Sequence, residues 1–166
     1  MKHLKLVLIL IVPLLLTGCW GYNTSDDDLV FVEPVSYTPV TMTRQAMEAS
    51  VELMAPATMV KSGKIYIKDN LLFVNDVNRG FHIYKYNDPS NPVEIAFLQA
   101  TGATDVAMRG TTLYINQATD LLTLVYDNNA IYFIKRNMNV FPQKTAPDGS
   151  WSNVADNEII TDWIAQ

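Results

Sequence analysis

The stretch Lys64–Leu98, KIYIKDNLLFVNDVNRGFHIYKYNDPSNPVEIAFL, decides how this chain folds. Lys64–Lys68 alternates charged, apolar and aromatic residues with the period of a half-buried strand, and Asp69-Asn70 supplies a turn. Leu71–Asn75 (LLFVN) reads as a more deeply buried strand, and Gly80–Tyr86 as a third. Asp88-Pro89-Ser90-Asn91-Pro92 carries two prolines in five residues, which suits neither a helix interior nor a central strand. Val93–Leu98 (VEIAFL) follows as a fourth strand. Four short strands joined by tight turns predict an antiparallel meander.

The same order recurs downstream. Asp105–Arg109 precedes a Gly110-Thr111 turn, then Leu113–Asn116, Leu121–Tyr126, an Asp127-Asn128-Asn129 turn and Ala130–Lys135. Placing Ile65 on Val106 sets an offset of 41, at which Phe73 meets Tyr114, Val74 meets Ile115 and Asn75 meets Asn116. The register slips by about one residue before the third strand. Repeats of about 40 residues with four strands each have the dimensions of a propeller blade. Two repeats, over about 60–100 and 101–140, cannot close a ring, so sheet edges must be covered.

Gly80-Phe81-His82-Ile83-Tyr84 and the turn Asn87-Asp88-Pro89-Ser90-Asn91-Pro92-Val93 resemble the LVIVD-repeat β-propeller proteins of bacteria. The likeness is to members that are envelope lipoproteins with a short helical preamble. It spans roughly residues 35–166, is good over Lys64–Leu98 and is looser afterwards. The second repeat departs from the pattern, with Asp127-Asn128-Asn129 in place of the Asp-Pro turn. The resemblance implies an incomplete propeller of two blade-like antiparallel four-stranded repeats and a role in binding.

Upstream, Thr41–Leu53 (TMTRQAMEASVEL) is rich in Met, Ala, Glu and Gln, with Thr43 as an N-cap. This predicts one short amphipathic helix stopped by Pro56. Leu29–Tyr37, bracketed by Pro34 and Pro39, fits an edge strand. The tail after Phe141-Pro142 reads as a loop and a terminal strand over Glu158–Ile164. The helix, the 29–37 segment and the tail are expected to cover the sheet edges, unless a partner chain does.

The N-terminus carries a separate message. Met1–Lys5 is basic, and Leu4–Leu16 is a thirteen-residue apolar run broken only by Pro13. A bilayer-spanning helix needs about 20 such residues, so this length suits a signal-peptide core. Leu16-Thr17-Gly18-Cys19 then resembles the lipobox of bacterial lipoproteins. That resemblance implies cleavage between Gly18 and Cys19 and acylation of Cys19 by palmitate-type chains. Each buried methylene contributes about 0.8 kcal/mol, so two or three chains anchor stably. Residues 1–18 are thus read as a signal peptide, 19–28 as the acylated cysteine and an acidic tether, and 29–166 as a single β-rich domain. Trp20 rather than Asp follows the cysteine, so the common inner-membrane retention signal is absent. The expected address is the outer membrane of a Gram-negative envelope, on its periplasmic face or at the cell surface.

Loss of Lys2 and Lys5 with the leader leaves ten basic residues against seventeen acidic ones, a net charge near −7. Nucleic acid is a poor partner for such a surface, because phosphate neutralisation supplies most of that affinity. The expected partners are the membrane, through Cys19, and envelope proteins or glycans. His82 is the sole histidine of the cleaved chain. No Gly-x-Ser-x-Gly turn or phosphate loop occurs, and a zinc site would lack its imidazole and thiolate ligands. Asp76-Val77-Asn78-Arg79-Gly80 has the spacing of half a calcium loop without the closing glutamate, which favours a plain turn. No catalytic residue, metal site or cofactor is expected. Tyr84, Tyr86 and Tyr114 are the candidate ligand-facing aromatics, able to stack on sugars if exposed.

Three functional readings follow. The first is a non-enzymatic, lipid-anchored envelope protein presenting a binding or scaffolding surface. The second is a glycan-binding or glycan-processing accessory lipoprotein. The third is a shortened propeller relative with little activity of its own.

Overall fold

A computed structural model describes residues 35–166. The leader, Cys19 with its cleavage site, the acidic tether and Leu29–Pro34 lie outside the described residues. The described chain is mainly β and antiparallel. Its elements are β1 (Tyr37–Thr43), α1 (Arg44–Ala49), β2 (Glu52–Met54), β3 (Ser62–Lys68), β4 (Leu71–Asp76), β5 (Gly80–Lys85) and β6 (Val93–Gln99). They continue with β7 (Ala103–Arg109), β8 (Thr112–Gln117), β9 (Asp120–Asp127), β10 (Ala130–Asn137) and β11 (Glu158–Ala165).

Two meanders form the body. The first sheet runs β2-β6-β5-β4-β3 and the second β10-β9-β8-β7, while β1 and β11 form a separate two-stranded ribbon. The first sheet therefore has five strands rather than four, because Glu52–Met54 pairs with Phe97–Gln99 on the outer edge of β6. No sheet closes on itself among the described residues. Turn chemistry fits the sequence. Asn128 and Asn129 both have positive φ, 49° and 59°, the conformation that a tight hairpin favours and asparagine tolerates. The one-residue slip between repeats also has a local cause. Asp76 pairs with Gly80 across a three-residue turn, whereas Gln117 pairs with Asp120 across two residues, so the offset falls from 41 to 40.

The sheets share one core. Phe73, Phe81, Ile83, Ala96 and Leu98 of the first sheet form a buried cluster with Leu113, Ile115, Leu122 and Leu124 of the second. These are not equivalent faces. Phe73 corresponds to Tyr114, which is exposed, while buried Leu113 and Ile115 correspond to Leu72 and Val74 on the outward side of the first sheet. The front of the first meander thus packs on the back of the second. Strands β3 and β7 adjoin at one rim. There the Tyr66 hydroxyl donates to Met108 O (3.2 Å) and accepts from Met108 N (3.0 Å), and Lys64 Nζ lies 2.5 Å from Asp105 Oδ1.

The helix is shorter than its composition suggests, six residues instead of Thr41–Leu53. Thr41–Thr43 pair with β11 and Glu52–Met54 with β6, and long-range pairing overrides helix propensity on both flanks. Thr43 still caps it, its Oγ1 accepting from Ala46 N. Of the segment expected at 29–37 only residues 35–37 are described; β1 begins at Tyr37 and includes Pro39, which is tolerated because β1 pairs only with β11. Helix and tail cap the ends of the sheets rather than their long edges. Met47 is fully buried against Ala118 and Ile159, and Gln117 Nε2 donates to Met47 O, Ser50 Oγ and Thr101 O. Strands β2, β3, β7 and β10, the outer strands of the two larger sheets, keep an edge without a backbone partner among the described residues.

Candidate functional site

Three places in the fold gather chemistry. The first is built around His82, which alternates with Phe81 and Ile83 and so lies on the other face of β5, where a strand histidine is expected to meet solvent. The side chain is instead completely buried. Its Nδ1 lies 2.6 Å from Glu94 Oε1 and its Nε2 3.5 Å from Asp76 Oδ2. The two side chains share a short hydrogen bond there. Nε2 has no hydrogen-bond partner. Both carboxylates also hold the segment Ala55–Lys61, which connects β2 to β3. Asp76 accepts from Lys61 N (2.8 Å) and Val60 N (3.2 Å), and Glu94 from Ala57 N (3.4 Å). The Phe97 ring, 4.7 Å from the imidazole, and Arg79 stacked on that ring complete the cover.

Burial works to raise the Asp76 carboxyl. The Lys61 and Val60 amides, the Arg79 guanidinium at 2.6 Å and His82 outweigh it and hold the group below the usual carboxylate range. The segment resembling half a calcium loop is thus a turn whose first acid is already occupied by amides and a guanidinium. The arrangement is a clasp: imidazole and carboxylates fasten a connecting segment to the back of the first sheet. Among the described residues no group of three or more His, Cys, Asp or Glu side chains is arranged to hold a metal.

A second clasp was not legible in the sequence. Asp120, fully buried in the turn between β8 and β9, accepts from Arg44 (2.9 Å), Arg136 (3.0 Å), Thr119 Oγ1 and Asn139 N. Here too burial pushes the carboxyl up, while Asn139 N, Arg136, Thr119 and Arg44 together keep it low. Arg44 lies 76 residues away from Asp120, so no local pattern announces the pair.

The third place is the open end of the sandwich, opposite α1. A cleft of about 360 Å³ lies between the sheets, with Leu71, Ile95, Met108 and Tyr126 among its apolar walls and Asn70, Lys85, Asn87 and Asp127–Asn129 at its rim. The Tyr126 hydroxyl donates to Asn129 Oδ1 (3.0 Å). The arrangement can offer amide and carboxylate partners to a hydroxylated ligand over an apolar floor.

The expected aromatics do not form one platform. Tyr84 is half-buried on the back of the first sheet, where burial and then Glu94 push its phenol up. Tyr114 is 38% exposed on the front of the second sheet, on the opposite outer side of the sandwich. Tyr86 is half-buried beyond β5, its amide donating to Asn70 O.

Both outer sides carry exposed apolar side chains. On the first sheet, Ile65 (65% exposed) and Ile67 (49%) share the back with Leu72, Val74 and Tyr84. On the second, Tyr114 and Tyr132 share the front with Thr123 and Val125. No family model, curated protein or solved structure matches this chain.

Proposed function

We propose that this chain is a non-enzymatic, lipid-anchored envelope protein whose two blade-like repeats present a binding or scaffolding surface. The observation that carries the reading is the back of the first meander. Ile65, Ile67, Leu72 and Val74 occupy the repeat positions of Val106, Met108, Leu113 and Ile115, which pack into the inter-sheet core. A sheet face with core composition and open isoleucines is a surface awaiting a partner. The buried ionisable groups support the same reading, since Asp76, His82 and Asp120 serve as clasps. The Leu-Thr-Gly-Cys motif ending at Cys19 supports attachment to the outer membrane through acyl chains.

The test is a photo-activated cross-linker at position 67 of the full chain, in its own cells. Protein adducts at that position are expected, and their absence would overturn the binding reading. Fatty-acid labelling lost on Cys19→Ala is expected from the anchor; label that persists would remove it. The Asn-rich cleft favours a second reading, a glycan-binding accessory lipoprotein. Titration with envelope oligosaccharides while following amide signals of Asn87 and Asn128 tests it, and unmoved signals would reject it.

A further inference from the structure

The chain contains a worked example of how its own open faces are covered. Inside the molecule, the front of the first meander stacks on the back of the second. What remains outside is the back of the first and the front of the second, which are the two halves of that same contact. We infer that the partner of the open faces is a second copy of this chain, stacked head to tail, with the front of one chain's second meander on the back of the next chain's first. This rests on the binding reading above and names its occupant.

Repeat equivalence supplies the register. Tyr66 corresponds to Ala107 and Met108 to Ile67, so the internal Tyr66–Met108 junction becomes an Ala107–Ile67 junction between copies. Both positions are exposed, as they must be to meet. Charge agrees with shape. Lys64 and Asp105 are equivalent positions of opposite sign that pair within the chain. Continuing the stack sets Asp105 of one copy beside Lys64 of the next, so the rim becomes an alternating row of charges rather than a row of one sign. Shape agrees with cover. The segment Ala55–Lys61 is tied to Asp76 at the end of β4 and to Glu94 of β6, while Ile65 and Ile67 of β3, the strand that adjoins β7 inside the chain, stay exposed. The outer strands β2 and β10 flank an open cleft of about 420 Å³, whereas at the opposite rim β3 and β7 are joined by the Tyr66–Met108 hydrogen bonds. Contacts of this kind are heterologous and close a ring when the rotation permits. Propellers of four to eight blades require two to four copies of a two-blade chain.

The experiment mixes two full-length single variants, Ile67→Cys and Ala107→Cys, with a short thiol-to-thiol cross-linker and maps the joined peptides. Peptides joining 67 to 107 across chains are expected as the dominant product, with native mass spectrometry giving two to four copies. Ile67→Asp, at an exposed position, is expected to reduce the mass to one chain without altering the circular dichroism spectrum. Lys64→Asp weakens assembly, and adding Asp105→Lys restores it. A single-chain mass for the unmodified protein, or 67–67 and 107–107 products without 67–107, overturns the inference. An adduct from position 67 to residues 29–34 of the same chain also overturns it. Adducts in cells to a different protein would sink self-stacking and leave the binding reading standing; no adducts at all would remove both.

Discussion

At the scale of single residues, two buried aspartates tie the stability of the fold to pH. Both Asp76 and Asp120 have carboxyls held below the usual range, so between their folded values and about pH 4 the unfolded chain binds more protons than the native one. Their contribution is complete above about pH 4 and is lost as pH falls through the folded values. Thermal melts of wild type are expected to shift down steeply on acidification below about pH 4, and melts of Asp120→Asn to shift less over the same window. Removing the Asp120 charge takes the carboxylate partner from Arg136 and the nearer of two from Arg44, and is expected to cost about 3 kcal/mol at neutral pH in denaturant titrations. An equal pH slope in wild type and variant would place the acid sensitivity elsewhere. His82 is the counterpart of Leu122 in the second repeat, and the comparison explains both. Leu122 packs in the inter-sheet core, whereas His82 bonds Glu94 and lies beside Asp76, the two carboxylates that hold the Ala55–Lys61 segment. His82→Leu is expected to speed amide exchange at Val60 and Lys61 selectively and to cost about 1–2 kcal/mol.

At the scale of elements, the strands were readable and their flanks were not. Alternation and Asx turns locate β3 through β10 because each turn residue acts on its own backbone. Asn128-Asn129 and the Gly80 position illustrate this. Gly80 has φ +150°, and a Cβ there would lie 2.1 Å from Leu98 O. Gly80→Ala is therefore expected to destabilise the chain by more than about 2 kcal/mol, measured by chemical denaturation, because backbone would have to move. The helix was over-read for the opposite reason. Thr41–Leu53 has helical composition, but β11 and β6 compete for its ends, and those partners lie 43 or more residues away in register. The burial of His82 was hidden likewise: period-two patterning gives the face of a residue, and only the path of Ala55–Lys61 decides that the face is covered.

At the scale of the whole molecule, the repeat was legible as an offset of 41 residues, yet offset alone does not say which faces meet. The front-to-back stacking follows from Phe73 being buried where Tyr114 is open, and from Ile115 being buried where Val74 is half-open. That asymmetry is the central claim, since it makes the two outer sides complementary to each other. It is tested most directly by amide exchange of the full chain over a range of protein concentrations. The account predicts that β3–β4 and β7–β8 gain protection as concentration rises, while α1 and β11 do not change. Exchange independent of concentration throughout, or protection rising only at the β1–β11 ribbon, would contradict it.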